Sequence, residues 1–308
     1  MTTLLLTHED CLAHDPGRHH PESPARLQAV LDGLAGPEFA ALERRLAPKA
    51  ARADLARAHS PDFVDGILAA IPARGHAALD ADTIVSPGSG NAALRAAGAV
   101  CAAVDAVIAG EAENGFCAVR PPGHHAERER AMGFCLFNNV AVGALHARAS
   151  HGLQRIAAID FDVHHGNGTQ AIFEDDADLF YGSTHQYPLY PGTGAREERG
   201  LGNIVNAPLR PNAGSSEFRA AMSELILPAL DAFQPELVLV SAGFDAHRSD
   251  PLAQLRLVEA DFAWATERLV ALARRHCRGR VVSSLEGGYD LAALAASAAA
   301  HVAALMAN

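Results

Sequence analysis

The chain has 308 residues, 49% of them hydrophobic and 20% charged, a globular composition that excludes a disordered or fibrous protein. Its formal charge of −11 is the wrong sign for a non-specific nucleic-acid binder and suits the attraction of cationic substrates. No window of roughly 18 apolar residues is free of charge or glycine, so no membrane span is expected, and residues 1–10 lack the basic lead-in of a secretory signal.

Residues 3–7 read as a strand, 8–24 as a long loop rich in His and Pro, and 25–34 as a helix. Residues 54–59 and 61–71 read as short helices, the second opened by Ser60 as cap and Pro61 as first residue. Residues 89–110 form a long Ala/Val helix, apolar nearly all round and therefore buried between layers. Strand and helix then alternate: strands at 115–119, 156–159, 179–183, 237–240 and 280–285, helices at 139–150, 168–173, 216–233, 258–276 and 291–306. Pro228 should bend the helix that contains it. Apolar strands alternating with helices imply a parallel sheet covered on both faces. With no repeat, linker or composition break, the chain reads as one domain, 1–308. Five cysteines, Cys11, Cys101, Cys117, Cys135 and Cys277, show no CxxC spacing, which fits reduced thiols in a cytoplasmic protein. Lys49 is the only lysine and Ala is abundant, a bias expected of a GC-rich bacterial genome.

In parallel α/β sheets ligands bind beyond the carboxyl ends of the strands. Four strands here run into residues that carry chemistry. Strand 156–159 leads into Asp160, Asp162, His164 and Asn167. Strand 237–240 leads to Asp245, strand 115–119 to His124 and His125, and strand 280–285 to Tyr289. In extended backbone, residues two apart point the same way, so Asp160, Asp162 and His164 share a face. Asp162 and His164 with the distant carboxylate of Asp245 make a feasible metal site with a position open to water. This oxygen-rich set favours Zn2+, and Fe2+ and Mn2+ are compatible with it. A lone Asp-x-His reads more readily as a helix cap beside a core histidine; the convergence of four strands argues against that. His124 and His125 are acid–base candidates, with Asp160 and Asn167 available to orient them. Tyr289, behind two glycines, suits an oxyanion donor.

The segments RPPGHHA, GFCLFNN, DFDVHHGNGTQ, YPGTG, SAGFDAHRSDPL and LEGGYDL occur in this order between Arg120 and Leu291. They resemble the histone deacetylase family, most closely its class II and bacterial acetylpolyamine amidohydrolase-like members. HPESPARL at residues 20–27 resembles the family's first loop. The resemblance implies the arginase–deacetylase α/β fold, a mostly parallel sheet of about eight strands flanked by helices. It also implies zinc on Asp162, His164 and Asp245. His125, oriented by Asn167, would be general base and then general acid, and His124, held by Asp160, mainly electrostatic. Tyr289 would polarise the acetyl carbonyl. Phe134 and Tyr190 would wall the acyl-lysine tunnel and Gly133, Leu252 and Gly288 line it, with Asp82 the candidate for the rim aspartate. Two potassium sites are implied, one on Asp160, Asp162 and His164 backbone oxygens with Ser183 and Thr184, the other around Phe173.

Asn167 replaces the Asp of class I members, Tyr190 replaces a common Phe, and Asp290 follows the Tyr where Asn is common. The expected activity is removal of acetyl, or a related acyl group, from acyl-lysine side chains, with an acetylpolyamine substrate as the alternative. The His-rich first loop (His14, Asp15, His19, His20) reads as solvated, with shaping of the rim as the other reading. A dimanganese ureohydrolase is disfavoured because Gly166 stands where a second metal needs a carboxylate. A non-catalytic acyl-lysine binder is disfavoured because Tyr289 and all three metal candidates are present.

Overall fold

Leu4, Leu5 and Leu6 are all buried, although adjacent strand residues face opposite ways. This is the mark of a strand covered on both faces. The computed structural model describes residues 2–307; Met1 and Asn308, the ends of the expected 1–308 domain, lie outside the described residues. In chain order the elements are β1 (Thr3–Thr7), α1 (Pro24–Gly33), β2 (Glu43–Leu46), α2 (Arg52–Ala58), α3 (Pro61–Ala69), β3 (Ala77–Ala78), β4 (Ile84–Val85), α4 (Ser89–Ala109) and β5 (Asn114–Cys117). There follow α5 (Asn139–His151), β6 (Ile156–Asp160), α6 (Asn167–Phe173), β7 (Leu179–Gln186), β8 (Ile204–Leu209), α7 (Ser215–Ala221), α8 (Leu227–Phe233), β9 (Leu237–Ala242), α9 (Glu259–Cys277), β10 (Val281–Leu285) and α10 (Leu291–Met306).

Eight strands form one sheet in the order β2-β1-β5-β10-β9-β6-β7-β8. Every neighbouring pair in it is parallel. Two groups of packed helices cover the sheet, α1 with α10 and α9, and α2 with α5 and α4. This is the arginase–deacetylase fold. The strands β5, β10, β9 and β6 are buried at every position, which explains their continuous apolar character.

The sequence reading misses the edges. In β2, Glu43, Arg44 and Arg45 carry charge at the sheet margin, so no apolar pattern marks it. In β8, Pro208 is tolerated because the strand lies at the other margin. The helix expected at 216–233 is divided by a wide π turn at Met222–Ile226, and Pro228 falls in the first turn of α8, where its missing N–H costs little. One expectation needs correcting: α4 is long and apolar enough to cross a membrane by length and composition alone. Most of it is buried against the fold: Ala92, Ala96, Ala99, Val100, Ala103 and Val104 are all inaccessible to solvent.

Candidate active site

β5, β10, β9 and β6 are four consecutive neighbours in the sheet. Their carboxyl ends therefore deliver His124 and His125, Tyr289, Asp245, and Asp160 with Asp162 and His164 to one place. His164 Nδ1 lies 3.1 Å from Asp162 Oδ1 and 3.1 Å from Asp245 Oδ2. One ligand atom from each residue falls within 4.8 Å of the others. Backbone donors hold the carboxylates in place: Val163 N–H donates to Asp245 Oδ1 at 2.8 Å and Gly287 N–H to Asp162 Oδ2 at 2.8 Å.

Both carboxylates are buried, at 1% and 0% exposure, and among the described residues neither pairs with an Arg or Lys. Burial and the Asp162 charge push the Asp245 carboxyl up to about 7. Burial disfavours the charged form of His164, but Asp162 and Asp245 outweigh it and raise the imidazole to about 10. Two crowded carboxylates with an imidazole proton between them form a set whose charge a divalent cation would balance, so the donor set fits the expected metal.

Behind the triad stand two imidazoles tilted against each other, with ring centroids 4.0 Å apart. His124 Nδ1 donates to Asp160 Oδ2 at 2.9 Å, and the Tyr181 hydroxyl donates to the same oxygen at 3.0 Å. Burial opposes a charge on His124, but Asp162 and Asp160 prevail and raise it to about 10. His125 Nδ1 donates to Asn167 Oδ1 at 2.8 Å. Burial, His124 and His164 together hold His125 well below the ordinary histidine value. The amide oxygen of Asn167 can only accept, so Nδ1 carries the proton and Nε2 keeps a free lone pair. Two equivalent-looking histidines are thus pushed in opposite directions, His124 toward the cation and His125 toward the neutral base.

Several positioning groups escape a linear reading. Asn167 Nδ2 donates to Glu127 Oε1 at 2.7 Å, which sets the orientation of the amide. Glu286 Oε2 accepts from the N–H groups of Gly123 at 2.6 Å and His124 at 3.2 Å, fixing the backbone under the histidine pair. Glu22 bridges two fully buried arginines, Arg26 and Arg120. Arg26 in turn donates to the Gly288 and Glu286 carbonyls and lies over the Tyr289 ring, 4.7 Å from its centroid. Glu22, Arg26, Arg120 and Glu286 all fall inside quoted motifs, but only the fold shows that they meet.

A cavity of about 220 Å³ opens onto the triad. Asp82, Gly133, Phe134, Tyr190 and Leu252 line it, together with Pro122, Leu189 and Gly287. Tyr289, at its base, donates its backbone N–H to Asp250 Oδ2 at 2.7 Å, and burial pushes its phenol well above the ordinary tyrosine value, so it stays a donor. Gly288 is a correction: it does not line the cavity. Its φ of +127° turns the residue toward Leu294 and Phe244, and a side chain there would strike Leu294. Asp82 Oδ1 accepts the Gly133 N–H at 3.1 Å, so this aspartate pins the turn that presents Phe134. Of the first loop, His20 packs 4.6 Å from the Phe134 ring, whereas His14 is buried against Glu22 and Ser89.

At the first expected potassium site, Ser183 faces Asp160 across the β6–β7 ladder, and the buried Thr184 Oγ1 has no partner among the described residues. Around Phe173 the residues present do not fit the expected ion. The carbonyls of Phe173, Asp176 and Leu179 converge on Asn203 Nδ2, at 2.9, 3.0 and 2.6 Å. The side-chain amide occupies the carbonyl cradle that an ion would need.

Compared with known proteins, the chain matches the histone deacetylase domain over residues 20–305. It is 43% identical over 277 residues to a histone deacetylase-like amidohydrolase of Pseudomonas aeruginosa, covering 88% of this chain and 72% of that protein. It is 41% identical over 321 residues to the Homo sapiens polyamine deacetylase HDAC10, covering 96% of this chain and 47% of that protein. The crystal structure of the HDA15 HD domain is similar at a TM-score of 0.95 and 36% identity, covering 100% of this chain and 88% of that one.

Proposed function

The chain belongs to the histone deacetylase family of amidohydrolases, and on that premise we propose that it is a zinc-dependent deacetylase acting on acyl-lysine side chains and releasing acetate. The observation that carries this reading is the geometry at the base of the cavity, where His124 on Asp160 and His125 on Asn167 flank the Asp162–His164–Asp245 triad. Zn2+ held by those three residues would act as a Lewis acid on the substrate carbonyl and acidify the attacking water.

The chain's own groups account for the remaining requirements. With Nδ1 held by Asn167, His125 Nε2 takes the proton of the attacking water and later returns it to the leaving amine. His124, kept positive by Asp160, stabilises the negative charge that develops on the carbonyl oxygen. The Tyr289 hydroxyl donates to the same oxygen. Phe134, Tyr190, Leu189 and Leu252 shield the acyl chain from water and leave a slot for one extended alkyl amine. A potassium ion on the Asp160, Asp162 and His164 backbone oxygens with Ser183 and Thr184 is part of this proposal, and the unpartnered Thr184 hydroxyl supports it.

An acetylpolyamine offers the same acetylated alkyl amine, and the polyamine deacetylase among the relatives favours that second reading. The test is acetate release by zinc-loaded protein from an acetyl-lysine peptide and from acetylputrescine side by side, with Tyr289→Phe as control. Peptide turnover that falls about 10²–10³-fold in the variant is the expected result. Turnover of acetylputrescine alone would replace acyl-lysine with a polyamine substrate. Full activity in Tyr289→Phe would remove the assigned role of the phenol.

A further inference from the structure

Away from the cavity, a second cluster of metal-binding side chains lies on the surface where α2, α4 and α5 pack together. Asp105 of α4 faces two histidines of α5. His146 Nε2 lies 2.7 Å from Asp105 Oδ1, and His151 Nε2 lies 2.6 Å from the same oxygen. On its other side, His146 Nδ1 lies 2.9 Å from Asp54 Oδ1 of α2. Asp105 is half exposed and His151 a quarter exposed, so the cluster opens to solvent.

Both carboxylates only accept, and each faces a nitrogen of His146. A second proton on His146 would satisfy both, and a metal cation in place of the Nε2 proton does the same: Nδ1–H donates to Asp54, and Nε2 offers its lone pair to the ion. Arg57 pairs with Asp54. A metal-bound histidine whose other nitrogen is held by a carboxylate is a recurrent arrangement. Cys101 lies beside Asp54 and His146, but burial pushes its thiol well up, so it stays protonated and is not a ligand.

We propose that Asp105, His146 and His151 form a surface site for a divalent transition-metal cation, Zn2+ foremost, with Asp54 orienting His146. Two imidazole nitrogens and one carboxylate oxygen are a zinc donor set, with the remaining position left to water. The bound ion would tie α4 to α5, two helices otherwise joined by apolar packing. The site is independent of the catalytic triad and of the reaction proposed there.

The test counts zinc bound per chain by mass spectrometry after gel filtration in micromolar zinc. It uses the whole protein and the variants His151→Gln, Asp54→Asn and Asp245→Asn. The expected result is about two zinc ions in the wild type and about one in His151→Gln, with Asp54→Asn binding the surface ion ~10–100-fold more weakly, the usual effect of removing a histidine's orienting carboxylate. Asp245→Asn should keep the ion that His151→Gln loses. A second zinc retained in His151→Gln, or a wild type that binds one zinc which only Asp245→Asn removes, would overturn the proposal. A wild type with one zinc that only His151→Gln removes would uphold it and overturn zinc at the triad instead.

Discussion

His301 gives a direct link between burial and acid sensitivity. It sits in α10, fully buried among the rings of Phe116, Phe161 and Phe244, at centroid distances of 5.5, 5.8 and 5.8 Å. Thr266 Oγ1 donates to the Phe262 carbonyl, so it accepts from His301 Nδ1 at 2.6 Å, and Ser283 Oγ lies 2.8 Å from Nε2. Burial alone lowers this imidazole from 6.5 to about 3. The folded state therefore keeps His301 neutral, while the unfolded chain takes up a proton near the ordinary value. The resulting stability is fully present above about pH 7 and is lost as pH falls from 6.5 toward 3. At 1.36 kcal/mol per unit, the loss from this one side chain is about 2 kcal/mol between pH 8 and pH 5, and about 5 kcal/mol below pH 3. The assay is urea unfolding of the wild type and His301→Leu at pH 8 and pH 5. The variant gives up the hydroxyl contacts and is less stable throughout, but its loss between the two pH values should be smaller by about 2 kcal/mol. Other histidines titrate alike in both proteins and cancel. Equal losses in the two proteins would refute the reasoning.

Gly133→Ala should fold and lose activity: its φ is +57°, and a methyl there would lie 2.4 Å from the His125 ring carbon Cδ2. Displacing that ring should cut kcat/KM roughly 100-fold, and wild-type kinetics would show that the ring tolerates the shift. Asn203→Ala leaves three converging carbonyls without their amide. The expected cost is roughly 2–3 kcal/mol, read by calorimetry as a melting point lower by roughly 3–5 °C. Potassium chloride should restore part of it and choline chloride none. An unchanged melting point would mean that the amide contributes nothing.

Some features were legible because they are local. The central strands carry unbroken apolar runs, so β1, β6, β9 and β10 could be located to within a residue or two. The catalytic candidates directly follow strand ends, and a parallel sheet places all such ends on one side. The edge strands were not legible, because half of an edge strand faces water and β2 carries three charged residues in four. The wide turn before Pro228 also escaped, since a helical pattern does not distinguish a bend from a π turn.

By itself, the sequence determined the layered architecture, the family resemblance, and the set formed by Asp162, His164, Asp245, the histidine pair and Tyr289. These rest on hydrophobic period and on motifs whose residues are neighbours in the chain. Tertiary structure alone decided which nitrogen of His125 is free, that Glu127 and Glu286 hold the histidine pair in place, and that Gly287 rather than Gly288 meets the cavity. It also placed Asn203 in the Phe173 cradle and brought Asp105 to His146 and His151. Each of these contacts joins residues far apart in sequence. The angle and register at which helices and loops dock onto the sheet bring them together, and no local spacing encodes that packing.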